Sequence, residues 1–252
     1  MHFIDVGQGD CTFIAANGKT MLVDCGENSE ADKVESYLRK LGVSRLDHII
    51  ATHPHSDHMG GMHSIIDTFD VGEVIIPHIP DDQIPTSRFY ELFLDSCAAS
   101  KVKVSEAEVG TELQLGDAHI EFIAPDGERY GDLNNYSLSF ILTHGKNRFL
   151  LTGDAESESE EAMLKGGSLR KIDLYKAGHH GSAYSSTKKL LEVIRPDVAV
   201  ISCGSENPYG HPADSTVKRL KKYTDQIFRT DINGSIVVES DGEELNVTPE
   251  RS

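Results

Sequence analysis

The alternation of apolar and polar positions repeats in two distant parts of the chain. Residues 10–24 contain two short apolar runs separated by Asn17-Gly18, and residues 137–154 contain two such runs separated by His144-Gly145. A glycine-containing two-residue link between apolar runs, Asn-Gly above all, is a strong short-range signal for a β-hairpin. We therefore predict a hairpin in each of the two segments.

A helix and a further strand follow each predicted hairpin. Residues 31–41 and 158–165 carry apolar side chains at helical spacing, and residues 46–51 and 172–177 are short apolar runs that lead into histidines. Two β-β-α-β halves of this kind predict an α/β protein. Its two sheets should pack together, with the helices outside and the histidines at a shared edge.

Periodicity elsewhere predicts two more helices and several strands around a polar loop. The helices are expected at 86–100 and 212–223, the strands within 69–79, 102–123 and 236–239, and the loop at 126–135. At 252 residues the chain is long enough for one large domain. We expect a single domain over residues 1–252.

Composition and charge narrow the classes of partner. The chain is 38% hydrophobic, and its 24 Lys and Arg against 41 Asp and Glu give a formal charge of −17. This excess argues against long-range attraction to nucleic acid, although it leaves room for a local basic pocket.

No targeting or membrane signal is visible in the sequence. No apolar run approaches the ~20 residues of a membrane helix, and the first ten residues lack a signal peptide's basic region. We expect a soluble chain, either cytoplasmic or an extracytoplasmic domain whose leader has been removed, and the oligomeric state stays open. Four cysteines without metal or disulfide spacing are expected to be buried thiols: Cys11, Cys25, Cys97 and Cys203.

The candidate chemistry lies directly after the first strand that leads into histidines. His53, His55, Asp57 and His58 stand within six residues, ahead of Gly60-Gly61. Imidazole and carboxylate hold borderline divalent cations at neutral pH. His53 and His55 project to the same side and suit one ion, whereas Asp57 and His58 follow a turn and point toward a second. We interpret the stretch as a metal site in which the glycine pair allows a tight turn.

This H-x-H-x-D-H pattern resembles the signature of the metallo-β-lactamase superfamily. Further motifs resemble the branch of hydrolase domains found at the C-terminal end of ComEC-type competence proteins and in stand-alone relatives. They are D-V-G-Q-G-D at 5–10, L-V-D-C-G at 22–26, N-N-Y-S-L at 134–138, L-T-G-D at 151–154, G-H-H-G-S at 178–182 and Y-G-H-P at 209–212. Each motif is weak alone, but their order and spacing make the set specific. The resemblance implies a four-layer αββα sandwich of two similar halves, and a hydrolase that uses two divalent metal ions, zinc or manganese.

The resemblance also implies the ligands of the first ion. His53 and His55 would hold it, and superfamily members add a third histidine from the loop before the second hairpin. This chain has Asn134-Asn135 there, and we favour Asn135 as the ligand. An amide oxygen in place of imidazole should make this site looser and more tolerant of Mn²⁺.

The second ion would share a carboxylate with the first. Asp154 stands where the family has its bridging carboxylate, and Asp57, His58 and one histidine of the His179-His180 pair would complete the site. We favour His179 as the ligand, with His180 as a catalytic group that faces the substrate.

Four further residues have candidate roles beside the metals. Lys176 is a candidate to neutralise a phosphate oxygen, and Ser182 and His211 match family positions that suit substrate contact. Two roles stay open for Asp24: orienting a ligand histidine through its other ring nitrogen, or shaping a turn.

The expected reaction is hydrolysis by a hydroxide that bridges two divalent cations, with Asp57, Asp154 and His180 as the catalytic residues. The motifs favour phosphodiesters, either nucleic acid or a small diester, and the negative charge favours a small or single-stranded substrate. Two alternatives remain, because fold and motif do not select a substrate. One is an acyl hydrolase of lactams or lactones, and the other is a catalytically weak metal-binding sensor, which the missing third histidine would suit.

Overall fold

The structure, a computed structural model, describes residues 1–251. Its strands are β1 (His2–Phe3), β2 (Thr12–Ala16), β3 (Lys19–Val23), β4 (Arg45–Ile50), β5 (Asp70–Pro77), β6 (Lys103–Ala107), β7 (Glu112–Leu115), β8 (Ala118–Ala124), β9 (Ser139–His144), β10 (Asn147–Leu151), β11 (Leu174–Lys176), β12 (Val198–Ile201), β13 (Gln226–Arg229), β14 (Ile236–Ser240) and β15 (Leu245–Pro249). Its α-helices are α1 (Ala31–Lys40), α2 (Ser56–Met59), α3 (Met62–Thr68), α4 (Arg88–Ser100), α5 (Ser157–Gly166), α6 (Lys188–Ile194), α7 (Asp214–Leu220) and α8 (Thr230–Asn233).

The strands form two mixed sheets. The first has the order β15-β14-β1-β2-β3-β4-β5-β6, and the second has the order β13-β12-β11-β10-β9-β8-β7. In the first sheet β2 and β3 pair antiparallel while β3 and β4 pair parallel. In the second sheet β9 and β10 pair antiparallel while β10 and β11 pair parallel. The predicted organisation in two similar β-β-α-β halves is confirmed.

The core lies between the two sheets, and alternation along the strands produces the other layers. In β3, Met21 and Val23 face the opposite sheet, whereas Leu22 packs under the helices of its own half. In β10, Leu151 faces the opposite sheet and Leu150 packs under the helices of the second half. Because successive side chains of a strand point to opposite faces, each sheet is buried on both sides. The four-layer αββα architecture is thereby confirmed.

Two local predictions need correction. The second hairpin turns at Gly145-Lys146, one residue later than expected, because β9 extends through His144. The glycine pair at 60–61 does not form a tight turn, since Gly60 has helical dihedrals (φ −55°, ψ −45°). A Cβ at Gly60 would lie 2.6 Å from the backbone nitrogen of Asn28, so this glycine serves the close approach of two chain segments.

The cysteine expectation is confirmed, since Cys11, Cys25, Cys97 and Cys203 are buried free thiols. Across residues 1–251, no helix has the length and apolar character that crossing a membrane requires. The assignment of residues 1–252 to one domain stays a prediction.

Candidate metal centre

The candidate site lies at the edge where the central strands of both sheets end. Asp24 follows β3 and His53 follows β4, while Asp154 follows β10 and His179 follows β11. The carboxyl ends of parallel neighbours meet at one edge of a sheet, which is where open α/β folds place their ligands. The face-to-face packing of the two sheets then brings the two sets of side chains together.

His53 and His55 meet at their ring nitrogens. His53 Nε2 lies 3.0 Å from His55 Nδ1. The His53 ring is fully buried, and its Nδ1 lies 3.2 Å from the hydroxyl of Thr52 and 3.3 Å from that of Ser137. The two rings therefore face a common point, the arrangement that a shared ion requires.

His58, on α2, is held by Asp24. His58 Nδ1 lies 2.7 Å from Asp24 Oδ2, and the other oxygen of Asp24 accepts a hydrogen bond from the Thr52 backbone nitrogen at 2.8 Å. Because a carboxylate only accepts, Nδ1 carries the proton and Nε2 points into the site. Of the two roles left open for Asp24, this geometry favours the orientation of a histidine.

Asp154, from the second half, contacts histidines from both halves. Its Oδ2 lies 3.2 Å from His58 Nε2 and 3.3 Å from His180 Nε2, and the latter nitrogen is 3.1 Å from Asp57 Oδ2. Ligand atoms about 2.0–2.2 Å from a tetrahedral ion are about 3.3–3.6 Å apart, so these separations are close to those of a metal site.

The structure reverses the preference between the two adjacent histidines. His180 is buried and its Nδ1 donates to the carbonyl of Ser202 at 3.0 Å, which directs Nε2 toward Asp154 and Asp57. His179 Nδ1 instead contacts Glu156 at 3.1 Å, and its Nε2 is 3.8 Å from Asp154 Oδ2. We therefore revise the prediction: the geometry favours His180 as the ligand and His179 as the substrate-facing ring.

Asp10 is a site residue that sequence reasoning missed, and Lys176 is its partner. The Lys176 ammonium is buried, pairs with Asp10 Oδ2 and donates to the carbonyl of Gly153. Asp10 Oδ1 lies 3.5 Å from His180 Nδ1. Lys176 thus points below the site rather than at a phosphate, which corrects its predicted substrate role. A lysine inside an apolar strand was the signal, because a buried ammonium requires a buried carboxylate.

The structure also reverses the preference between the two asparagines. Asn135 Oδ1 accepts hydrogen bonds from the backbone nitrogens of Glu156 at 3.0 Å and Ser159 at 3.3 Å, which occupies both of its lone pairs. Asn134 Oδ1 is buried, has no hydrogen-bond partner among residues 1–251, and its side chain lines the cavity. Asn134 therefore replaces Asn135 as the candidate ligand.

The two remaining predicted contacts divide. Ser182 is 2% exposed, its hydroxyl accepts from the backbone nitrogen of Tyr184, and it does not line the cavity, so the geometry favours a role in shaping the loop. His211 lines the cavity, with its ring centroid 5.2 Å from that of His179. The substrate prediction is corrected for Ser182 and stays a proposal for His211.

An open cavity of about 390 Å³ lies above these residues. Besides the predicted residues, Gln8, Ser56, Phe89 and Tyr209 contribute to its wall, and its lining within residues 1–251 contains no lysine or arginine. A substrate's negative charge would therefore be met by bound cations and histidines.

Protonation in the metal-free protein follows from the crowding of buried charges. Burial opposes a charge on His58 and His180, but Asp154 and the other carboxylates around each ring outweigh it and raise the pKa of both imidazoles well above the ordinary value. Burial would raise the pKa of Asp154, but His180 and His58 hold it well below its usual range.

The residues present fit a divalent cation. Asp10, His58, Asp154 and His180 are all buried, and each offers one ligand atom within 4.8 Å of the others. Among residues 1–251, His58 Nε2 and Asp154 Oδ1 are buried without a hydrogen-bond partner. Unpartnered polar atoms that converge in the interior are costly unless an ion or water satisfies them.

Two packed β-β-α-β halves with histidine and aspartate at their shared edge define a metallo-hydrolase fold. The model of the metallo-beta-lactamase superfamily matches residues 4–205, and the chain belongs to that superfamily.

Curated relatives show which branch of the superfamily this chain resembles. The chain is 32% identical to Recombination protein 2 of Haemophilus influenzae, over 99% of this chain and 30% of that protein. It is 29% identical to ComE operon protein 3 of Bacillus subtilis, over 94% of this chain and 32% of that protein. The resemblance to the competence-protein branch is confirmed, and the chain spans about a third of the length of these relatives.

A solved structure supports the fold independently. Igni18, a metallo hydrolase from the archaeon Ignicoccus hospitalis, superposes with a TM-score of 0.58 at 14% sequence identity. The match covers 98% of this chain and 97% of Igni18. At this identity the likeness shows the fold.

Proposed function

We propose that this protein is a metal-dependent phosphodiesterase that acts on single-stranded nucleic acid or on a small phosphodiester. The observation that carries the proposal is the convergence of His58, Asp57, Asp154 and His180 at ligand spacing beneath an open cavity. The name of one curated relative, Recombination protein 2, refers to recombination, which supports a nucleic acid substrate over a lactam or lactone.

The chain offers two neighbouring ligand sets. His53, His55 and Asn134 would hold one ion, and Asp57, His58 and His180 would hold the other. Asp154 would serve both. A pair of divalent cations held here would supply a nucleophile at neutral pH and stabilise the negative charge of the phosphoryl oxygens.

The surrounding residues hold this arrangement in place. Asp24 fixes the ring of His58, and the carbonyl of Ser202 fixes the ring of His180, so that both Nε2 atoms face inward. Such partners of ligand histidines typically change metal affinity by 10–100-fold when removed. Asp10 and Lys176 form the charged floor below His180.

His211 is the residue best placed to contact the substrate. It is half-buried, and burial together with His179 and His180 lowers the pKa of His211 to about 4. It is therefore neutral at pH 7, and the N–H group of its ring can donate a hydrogen bond to a phosphoryl or leaving-group oxygen. Its Nδ1 is buried without a hydrogen-bond partner within the part of the chain that the structure describes.

The nature of the ions follows from the donors. An amide oxygen in place of a third imidazole makes the first set harder, and harder oxygen donors suit Mn²⁺ better than they suit Zn²⁺. We propose that the protein works with Mn²⁺ at least as well as with Zn²⁺.

The test is a substrate panel on metal-free protein reconstituted with Mn²⁺ or Zn²⁺. It comprises bis(p-nitrophenyl) phosphate, a single-stranded oligonucleotide, a lactam and a lactone. We expect hydrolysis of the diesters, a loss of at least a hundredfold in Asp154→Ala, and no change in the control His78→Ala, whose side chain follows β5, is 65% exposed and does not line the cavity. Turnover of the lactam or lactone alone would support an acyl hydrolase, and metal binding without turnover of any compound would support a sensor.

A further inference from the structure

Three aromatic rings lead from the floor of the candidate site to its rim. His180 and His211 are stacked with their ring planes 30° apart and their centroids separated by 6.3 Å. Tyr209 continues the series, with its ring 25° from that of His211 and 5.9 Å away. The series ends in solvent, because Tyr209 is 69% exposed.

The loop that presents Tyr209 is held by a set of side-chain hydrogen bonds. The side chain of Asn207 donates to the carbonyls of Gly204 and His211, and it accepts from the backbone nitrogens of Tyr209 at 3.2 Å and His211 at 3.0 Å. Gln8, from the first half, accepts a hydrogen bond from the backbone nitrogen of Gly204 at 3.1 Å. An exposed aromatic ring on a loop that is ordered beforehand can bind a ligand without the entropic cost of ordering the loop.

We propose, on the basis of the proposed function, that Tyr209 stacks on a nucleobase next to the scissile phosphate and so makes this site prefer nucleotide diesters over diesters without a base. A planar base would extend the ring series by one layer, because the outer face of Tyr209 is free. Tyr209 lines the same cavity as Asp57 and Asp154, so a strand bound at the candidate metal ligands can place one of its bases on this ring.

The surroundings favour a planar base over a quaternary ammonium group. A cation cage needs several aromatic faces around one point. Within residues 1–251, the wall of this cavity contains one phenylalanine, Phe89, and one tyrosine, Tyr209. Stacking on an aromatic side chain is tolerant of base identity and needs a base that is not already stacked in a duplex. The subsite therefore suits single strands and short nucleotides.

The test compares two single-stranded oligothymidylates of equal length and charge, one of them with an abasic residue on each side of one phosphate. The variants are Tyr209→Ala, Tyr209→Phe and the control Tyr184→Ala, since Tyr184 is 70% exposed but does not line the cavity. We expect the wild type to cleave the phosphate flanked by bases about tenfold more efficiently in kcat/KM than the one flanked by abasic residues. Tyr209→Ala should abolish this ratio through KM, Tyr209→Phe should retain it, and Tyr184→Ala should leave it unchanged.

An equal ratio in the wild type and Tyr209→Ala would overturn the proposal while leaving the phosphodiesterase intact. If the wild type cleaves neither oligonucleotide, the proposed function fails, and the subsite is tested separately by quenching of 2-aminopurine ribose monophosphate fluorescence. In that case, binding by the wild type that is about tenfold tighter than by Tyr209→Ala supports the subsite, and equal binding refutes it.

Discussion

Replacing Lys176 by methionine should destabilise the protein far more than the loss of a surface ion pair would. The ammonium of Lys176 and the carboxylate of Asp10 are 2% and 4% exposed in their side chains. Burial raises the pKa of Asp10, but Lys176 and His180 outweigh it and lower the pKa to about 2. Methionine fills a similar volume, so the main consequence of the substitution is a buried carboxylate that has lost its closest cation.

The expected magnitude follows from that isolation. Removing one partner of a buried ion pair typically costs 3–5 kcal/mol, because the other charge remains in the interior. With a urea dependence of about 3 kcal/mol per molar, at the upper end for small proteins, the unfolding midpoint should fall by about 1–2 M.

The assay is urea unfolding followed by circular dichroism in the presence of a chelator. The matched control is Lys171→Met, which breaks a pair with Asp197 whose two side chains are 57% and 56% exposed. Exposed pairs contribute about 0–1 kcal/mol, so this control should shift the midpoint little. The double variant Asp10→Asn/Lys176→Met should recover part of the loss, since both charges are then gone. Equal midpoints for Lys176→Met and Lys171→Met would refute the reasoning.

Three further predictions concern metal binding. Asn134→His should tighten Zn²⁺ binding at the first site, which calorimetric titration measures. Asn135→His should instead lower the free energy of unfolding, measured in urea, by about 1–3 kcal/mol, because two backbone nitrogens lose their acceptor. The opposite pattern would restore Asn135 as the ligand. Asp24→Asn should weaken metal binding about 10–100-fold by releasing His58, and an unchanged affinity would leave Asp24 with a turn role only. Metal affinity should fall as the pH falls through the pKa values of His58 and His180, which are raised well above the ordinary value, because protons then compete for the ligand nitrogens. A pH-independent affinity in competition with a coloured chelator would contradict this.

The parts of the fold that could be predicted are those that local patterns specify. The turn at Asn17-Gly18 has φ values of 44° and 79°, which an Asn-Gly pair adopts readily, and the first hairpin was correctly placed. The repeated order of hairpin, helix and strand was sufficient to predict two halves and the edge at which their ligands meet.

The choice between adjacent residues could not be predicted from the sequence. His179 and His180 both have left-handed backbone conformations, with φ of 49° and 52°, so their ring directions do not follow from strand alternation. What directs His180 inward is the carbonyl of Ser202, which lies 22 residues away in sequence. The choice between Asn134 and Asn135 depends on a similar distant contact. The backbone nitrogens of Glu156 and Ser159, at the start of α5, donate to Asn135 and leave Asn134 as the candidate ligand.

The partnership of Asp10 and Lys176 is equally non-local, because it joins a loop of the first half to a strand of the second. Sequence spacing carries no information about such a pair. The motif at 5–10 is part of the resemblance, but the role of Asp10, its last residue, becomes visible only in the structure, where the packing of the two halves brings Lys176 to it.

The most direct test of the metal centre is the metal content per chain of His180→Ala beside that of His179→Ala, measured by mass spectrometry after reconstitution and removal of loosely bound ions. The wild type should retain two ions per chain, and His180→Ala should lose the ion that His58 and Asp57 share with it, whereas His179→Ala should keep both. A protein that keeps both ions without His180 and loses one without His179 would contradict the ligand set derived from this structure.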